Sequence, residues 1–178
     1  MQPHIHASDP EHLLRLLPEV PRLWIVECKR QRLFRMEAGE LLDSTPVSTS
    51  RYGFGDQPGS LRTPLGLHRI SSRIGTGAPP GQRFRHRQPW DRIPEPWTGG
   101  SGDAILTRIL WLEGLVPGLN THSRHRYIYI HGTHQEELLG KPASNGCIRI
   151  GNNVLVEWFD ALRDPLPLVW IGRVDQIS

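Results

Sequence analysis

Arg126-Tyr127-Ile128-Tyr129-Ile130-His131 alternates without a fault, and its reading decides the fold. Alternation at period two is the mark of a half-buried strand. Over 126–131 it puts His125, Tyr127, Tyr129 and His131 on one face and Ile128 and Ile130 on the other. One face is apolar; the other carries polar and aromatic groups, as the wall of a pocket does.

Similar short apolar runs flank this strand. Residues 23–28 (LWIVEC) and 32–36 predict a hairpin about the polar Lys29-Arg30-Gln31. A turn at Ala38-Gly39-Glu40 leads into a strand over 41–49, and further strands are expected at 65–70, 104–112 and 166–171. Loops are expected over 50–64 and, rich in Gly, Pro and Arg, over 75–102. Helices are expected at two places. Ser8 and Glu11 form a capping-box pair ahead of the leucines at 13–17. Asn152 or Asn153 is placed to cap a helix over 154–162. Eighteen glycines and 16 prolines leave little room for more. The expected fold is mainly β, a β-sandwich or distorted barrel with short peripheral helices. Residues 1–21 are expected to form a helical extension and 22–178 one catalytic domain.

The chemistry gathers after the alternating strand. His131 ends it and is followed by Gly132 and Thr133. Sixteen residues on, Cys147 lies in Ser144-Asn145-Gly146-Cys147-Ile148-Arg149. A thiol needs a base or cation beside it to ionise at neutral pH, and His131 is the candidate base. The Gly132 carbonyl is placed to orient the ring. Gly146 lets the chain approach a ligand closely, and the amides of Asn145, Gly146 and Cys147 can converge on a developing oxyanion. Tyr129, on the same wall, is a candidate substrate contact.

IHGT at 130–133 followed by SNGCIR at 144–149 resembles the catalytic signature of the L,D-transpeptidase (YkuD-like) family. PVST at 46–49, RTPLGLHRI at 62–70 and LTRILWL at 106–112 resemble that family too, so the likeness runs from about residue 23 to 171. The resemblance implies an L,D-transpeptidase-type β domain, Cys147 as nucleophile, His131 as base and Gly132 as orienter. It also implies a substrate role for Arg149 and a structural or oxyanion role for Ser144 and Gly146. The implied reaction is acyl transfer on peptidoglycan stem peptides. The thiolate attacks the L-centre carbonyl of diaminopimelate and expels D-alanine, and the thioester passes to water (L,D-carboxypeptidase) or to an amine (L,D-transpeptidase). Many members carry His where this chain has Asn145, which bears on acceptor handling rather than on the base. Signal-less relatives of similar size are implicated in peptidoglycan recycling.

Two other classes match parts of the sequence. The pairs His122/His125 and His131/His134 suggest a zinc hydrolase, but no HExxH motif accompanies them and no cofactor is expected. An inactive peptidoglycan-binding domain is the other alternative. Net charge is +3, carried by arginine apart from Lys29 and Lys141; it suits an anionic substrate and does not argue for nucleic acid. No apolar run approaches a membrane span, and residues 1–10 lack a leader pattern. A cytoplasmic location is expected, with the cell envelope as the alternative. Cys28 is expected to be a buried free thiol, and Trp24, Trp111, Trp158 and Trp170 to be core. Arg83, Arg85, His86 and Arg87 form a basic run, either a solvated loop or a lid over the site. Oligomeric state is not legible in the sequence.

Overall fold

A computed structural model describes residues 20–92 and 103–174. The helix expected over 8–17 and the residues from 93 to 102 lie outside it. Within it the chain is mainly β, and ten strands join in one sheet. They are β1 Arg22–Glu27, β2 Arg32–Glu37, β3 Glu40–Ser48, β4 Gly66–Ile74, β5 Gln82–Arg85, β6 Gln88–Arg92, β7 Ile105–Gly114, β8 Tyr129–Gly132, β9 Ile148–Ile150 and β10 Leu168–Gly172. In space the order is β4-β10-β1-β2-β3-β9-β8-β7, and pairing of β4 with β7 closes these strands into a barrel. Closure removes the sheet edges that would otherwise template aggregation. The hairpin β5–β6 hangs from β7 as a flap.

The interior is the expected apolar face. Val26, Leu33, Leu110, Leu112, Ile128, Ile130, Ile148, Ile150, Val169 and Ile171 pack in one cluster. Helix α1, Asn152–Asp160, adds Leu155, Trp158 and Phe159 to it. The Trp158 ring meets Trp24 edge-on with centroids 5.5 Å apart.

Several turns follow from local chemistry. Ala38 and Gly39 both hold positive φ, giving the two-residue turn whose twist suits a hairpin. Gln31 stitches the preceding turn to β3, donating to the Cys28 carbonyl and Thr49 hydroxyl and accepting from the Thr49 amide. Buried Glu27 accepts from the amides of Lys29, Arg30 and Val174.

Four expectations need correction. The strand over 126–131 begins only at Tyr129. Residues 121–127 are turns, and Tyr127 has φ +58°. The reason is long-range: Arg126 reaches the carbonyls of Gly55 and Arg62 and the carboxylate of Asp56, which also holds His122. The strand at 65–70 runs on to Ile74 through a bulge. The 75–102 loop contains β5 and β6, joined by His86 and Arg87 with φ +50° and +66°. Finally, Asn152 is no cap. Gly151 takes that position, and Glu136 Oε1 accepts from the Asn152 amide instead.

Candidate active site

Strands β8 and β9 run parallel, with Ile130 opposite Ile148 and His131 opposite Arg149. Because side chains alternate, the isoleucines enter the barrel core while Tyr129, His131, Cys147 and Arg149 share its outer face. The flap lies over that face. Its Phe84 packs with Ile109 and Tyr129, and Cys147 lies against this small cluster.

His131 is 1% exposed. Its Nδ1 lies 2.7 Å from the Gly132 carbonyl, which can only accept, so Nδ1 carries the proton and Nε2 is the free base. Nε2 stands 3.7 Å from Asp103 Oδ2. Burial lowers the His131 pKa from its ordinary 6.5; the Asp103 charge and the Gly132 hydrogen bond work the other way, and Arg149 lowers it further. Gly132 itself is required by space. A Cβ there would stand 2.2 Å from Asn152 Oδ1 and 2.9 Å from the Leu106 carbonyl. Asn152 is fixed in turn by the Thr107 hydroxyl and the Thr133 carbonyl, with Thr107 at φ +72° in a bulge of β7.

Cys147 is partly exposed. Its Sγ accepts from the Tyr129 amide at 3.4 Å and donates to the Tyr127 carbonyl at 3.4 Å. Burial pushes its pKa up to about 12, against the hydrogen bond from Tyr129, so the resting group is a thiol. The expected direct hydrogen bond between Cys147 and His131 is not made. The two sit diagonally across β8 and β9, and the thiol proton is held by the turn before β8. Catalytic hydrogen bonds of this kind commonly form or tighten only with substrate bound.

The loop before Cys147 is well tied. Ser144 Oγ donates to the Cys147 carbonyl at 2.6 Å and accepts from the Gly146 amide at 3.2 Å. Thr63 holds the Gly146 carbonyl, and Gly146 has φ +122°. The Gly146 amide is therefore engaged inside the loop, while Asn145 is exposed.

Arg149 departs from expectation. It is 1% exposed, with Nε 2.5 Å from Asp103 Oδ2 and Nη1 3.1 Å from Gln135 Oε1. A guanidinium so buried and so paired is held against Asp103, beside His131. Asp103 escaped the sequence reading because nothing in residues 101–104 marks it, and it is 28 residues before His131 in the chain. Trp111 is also misplaced by the sequence reading. It is half-buried on the outer face, 5.7 Å from the Tyr129 ring and 5.8 Å from that of Tyr127. The histidine pairs do not converge. His122 Nδ1 is engaged by Asp56, and among the described residues no three His, Cys, Asp or Glu side chains form a metal-ligand group.

A closed barrel bearing a cysteine and a base-form histidine on one outer face defines a class of cysteine acyl-transfer domain. The family model for the L,D-transpeptidase catalytic domain, YkuD, matches residues 21–169, and the chain belongs to that family. Solved structures agree in fold. An L,D-transpeptidase from Mycobacterium smegmatis is 14% identical with a TM-score of 0.52, over 86% of this chain and 59% of its own. L,D-transpeptidase 3 from Mycobacterium tuberculosis, in complex with a faropenem-derived adduct, is 13% identical with a TM-score of 0.52, over 86% and 61%. A mutant L,D-transpeptidase from Enterococcus faecium is 12% identical with a TM-score of 0.52, over 85% and 49%. This chain thus spans about half to three fifths of those proteins. No curated protein matches it in sequence.

Proposed function

We propose that this protein transfers the acyl group of a peptidoglycan stem peptide through Cys147, cleaving between the L centre of diaminopimelate and a terminal D-alanine. The observation that carries the reading is the His131 ring: its Nδ1 is committed to Gly132, so Nε2 is a base on the face that bears Cys147.

The steps follow from these groups. His131 Nε2 takes the thiol proton, and the nearby Asp103 carboxylate steadies the imidazolium. The thiolate adds to the carbonyl carbon, forming a C–S bond. Collapse breaks the C–N bond, and His131 returns its proton to the leaving D-alanine amine. Water, or the amine of a second stem peptide, then attacks the thioester with His131 again as base. The C–S bond breaks and the thiol is restored. Water gives L,D-carboxypeptidase activity; an amine gives a cross-link.

Incubation with purified disaccharide tetrapeptide, followed by mass spectrometry, tests this. Loss of D-alanine with gain of water marks hydrolysis, and a dimer, or exchange with added D-amino acid, marks transfer. Cys147→Ala is expected to abolish both. Full turnover by that variant, or no reaction of the native chain with any tetrapeptide, overturns the reading.

A further inference from the structure

Several arginines on this barrel are matched to carboxylates, among them Arg22 to Glu37, Arg35 to Asp43, Arg69 to Glu113, Arg126 to Asp56 and Arg149 to Asp103. Two beside the candidate site are matched to aromatic rings instead. Arg87, at the flap tip, has its guanidinium carbon 5.0 Å from the Trp111 ring centre and 5.1 Å from that of Tyr127; its Nη1 donates to the Tyr129 hydroxyl at 3.4 Å. Arg124 lies 4.4 Å from the same Trp111 ring and donates to Ser71 Oγ. Among the described residues neither has a carboxylate partner. Two cations on one indole repel each other, and an anion bound there relieves that. Arg87 and Trp111 also line a groove of about 800 Å³ beside the site, with Phe84, Ile74, Gly77 and Gln88; Cys147 and Arg124 are not in its wall.

We infer that Arg87, supported by Arg124, binds the distal carboxylate of the diaminopimelyl residue and makes the site selective for the free acid over its carboxamide. This rests on the stem-peptide reading above. The geometry selects that carboxylate over the one on D-alanine. Tyr129 donates its amide to the Cys147 sulfur and accepts from Arg87 at its hydroxyl, so the cation stands one tyrosine side chain from the nucleophile. The leaving D-alanine carboxylate is a single Cα from the scissile amide, too near. The distal carboxylate of diaminopimelate is a methylene chain away, the right order of reach. Arg149, on the same face, is buried against Asp103, and Arg126, also near Cys147, is paired with Asp56.

Two tetrapeptides differing only in that group, carboxylate or carboxamide, test the inference. The native protein is expected to favour the acid by about tenfold or more in kcat/KM, the measure of one charge-assisted hydrogen bond. Arg87→Gln is expected to bring the ratio to within about twofold by lowering the acid alone, and Arg87→Lys to keep part of it. Equal loss on both substrates, or an unchanged ratio, overturns the inference. Calorimetric binding to Cys147→Ala protein, with and without Arg87→Gln, separates this from the chemistry. If the native chain turns over neither peptide while Cys147→Ala binds the acid more tightly through Arg87, the catalytic reading fails and this one holds. If neither peptide binds, or both bind alike, this one falls. Arg124→Gln, away from the flap turn, serves as second variant should Arg87→Gln not fold, with a smaller drop in the same ratio expected and equal binding of the two peptides again overturning the inference.

Discussion

His131 is a histidine whose burial opposes its own protonation, and that has a direct kinetic reading. Its pKa lies below 6.5, so Nε2 remains unprotonated as pH falls through 6.5. Acylation at Cys147 should hold its rate there and fall only in more acid solution. A stopped-flow profile of acylation against pH that breaks above 6.5 would contradict this assignment. Asp103→Asn removes the charge that raises the His131 pKa, so the acid limb should move to lower pH. The same change leaves buried Arg149 without its carboxylate, and denaturant unfolding should show a loss of about 3–5 kcal/mol. Gly132→Ala is the third test at this scale. Its Cβ has no space beside Asn152, so the strand end and the His131 ring must shift. Overpacking of this kind costs about 1–3 kcal/mol, and a displaced base should lower kcat by about a hundredfold. A variant as active as the native protein would show that the Gly132 carbonyl does not position the ring.

At the scale of elements, the segment before β8 matters as much as the strand. Residues 121–127 are held by Asp56, which is engaged by Arg126 and by both the amide and ring of His122. Asn120 adds two bonds to the Leu65 and Leu67 carbonyls. This segment sets the Tyr127 carbonyl that holds the thiol proton. Asp56→Ala therefore should loosen it, with about 2–4 kcal/mol lost and faster amide exchange over 116–127 than in the barrel strands. Uniform exchange across the chain would place the clamp elsewhere. The hairpin β5–β6 shows why an element can be hidden in a sequence. Its turn is His86-Arg87, not Asn-Gly, so the ordinary hairpin signal is absent although both residues adopt positive φ. What holds it is Phe84 buried against Ile109 and Tyr129, contacts about 25 and 45 residues away. Strands β1, β2 and β7 were legible because their apolar content alone demands burial.

The whole molecule closes through β4 and β7, and buried His68 sits on β4 near that seam. Its Nδ1 faces the Gly66 carbonyl and its Nε2 the Ser123 hydroxyl, so the neutral ring accepts from Ser123. Burial lowers its pKa from 6.5 to about 4. A histidine with a lowered folded pKa gives its full contribution above 6.5. Below that the unfolded chain gains the proton and the native one does not, so stability falls until about pH 4. The slope from this residue approaches about 1.4 kcal/mol per pH unit. Urea unfolding at pH 7 and pH 5 should show the drop, and His68→Gln should flatten it if His68 is the source.

Sequence alone determined the β character and the inward isoleucines, and it singled out a cysteine, an upstream histidine and a glycine that lie at the ends of two neighbouring strands. Each follows from local alternation or from neighbouring residue types. Tertiary structure decided the rest: Asp103 beside His131, Arg149 paired with Asp103, Trp111 moved from core to the outer face, and the flap that brings in Arg87. These depend on which strands become neighbours when the barrel closes. Closure energy is spread over the whole core, so no local pattern records which distant side chains it brings together.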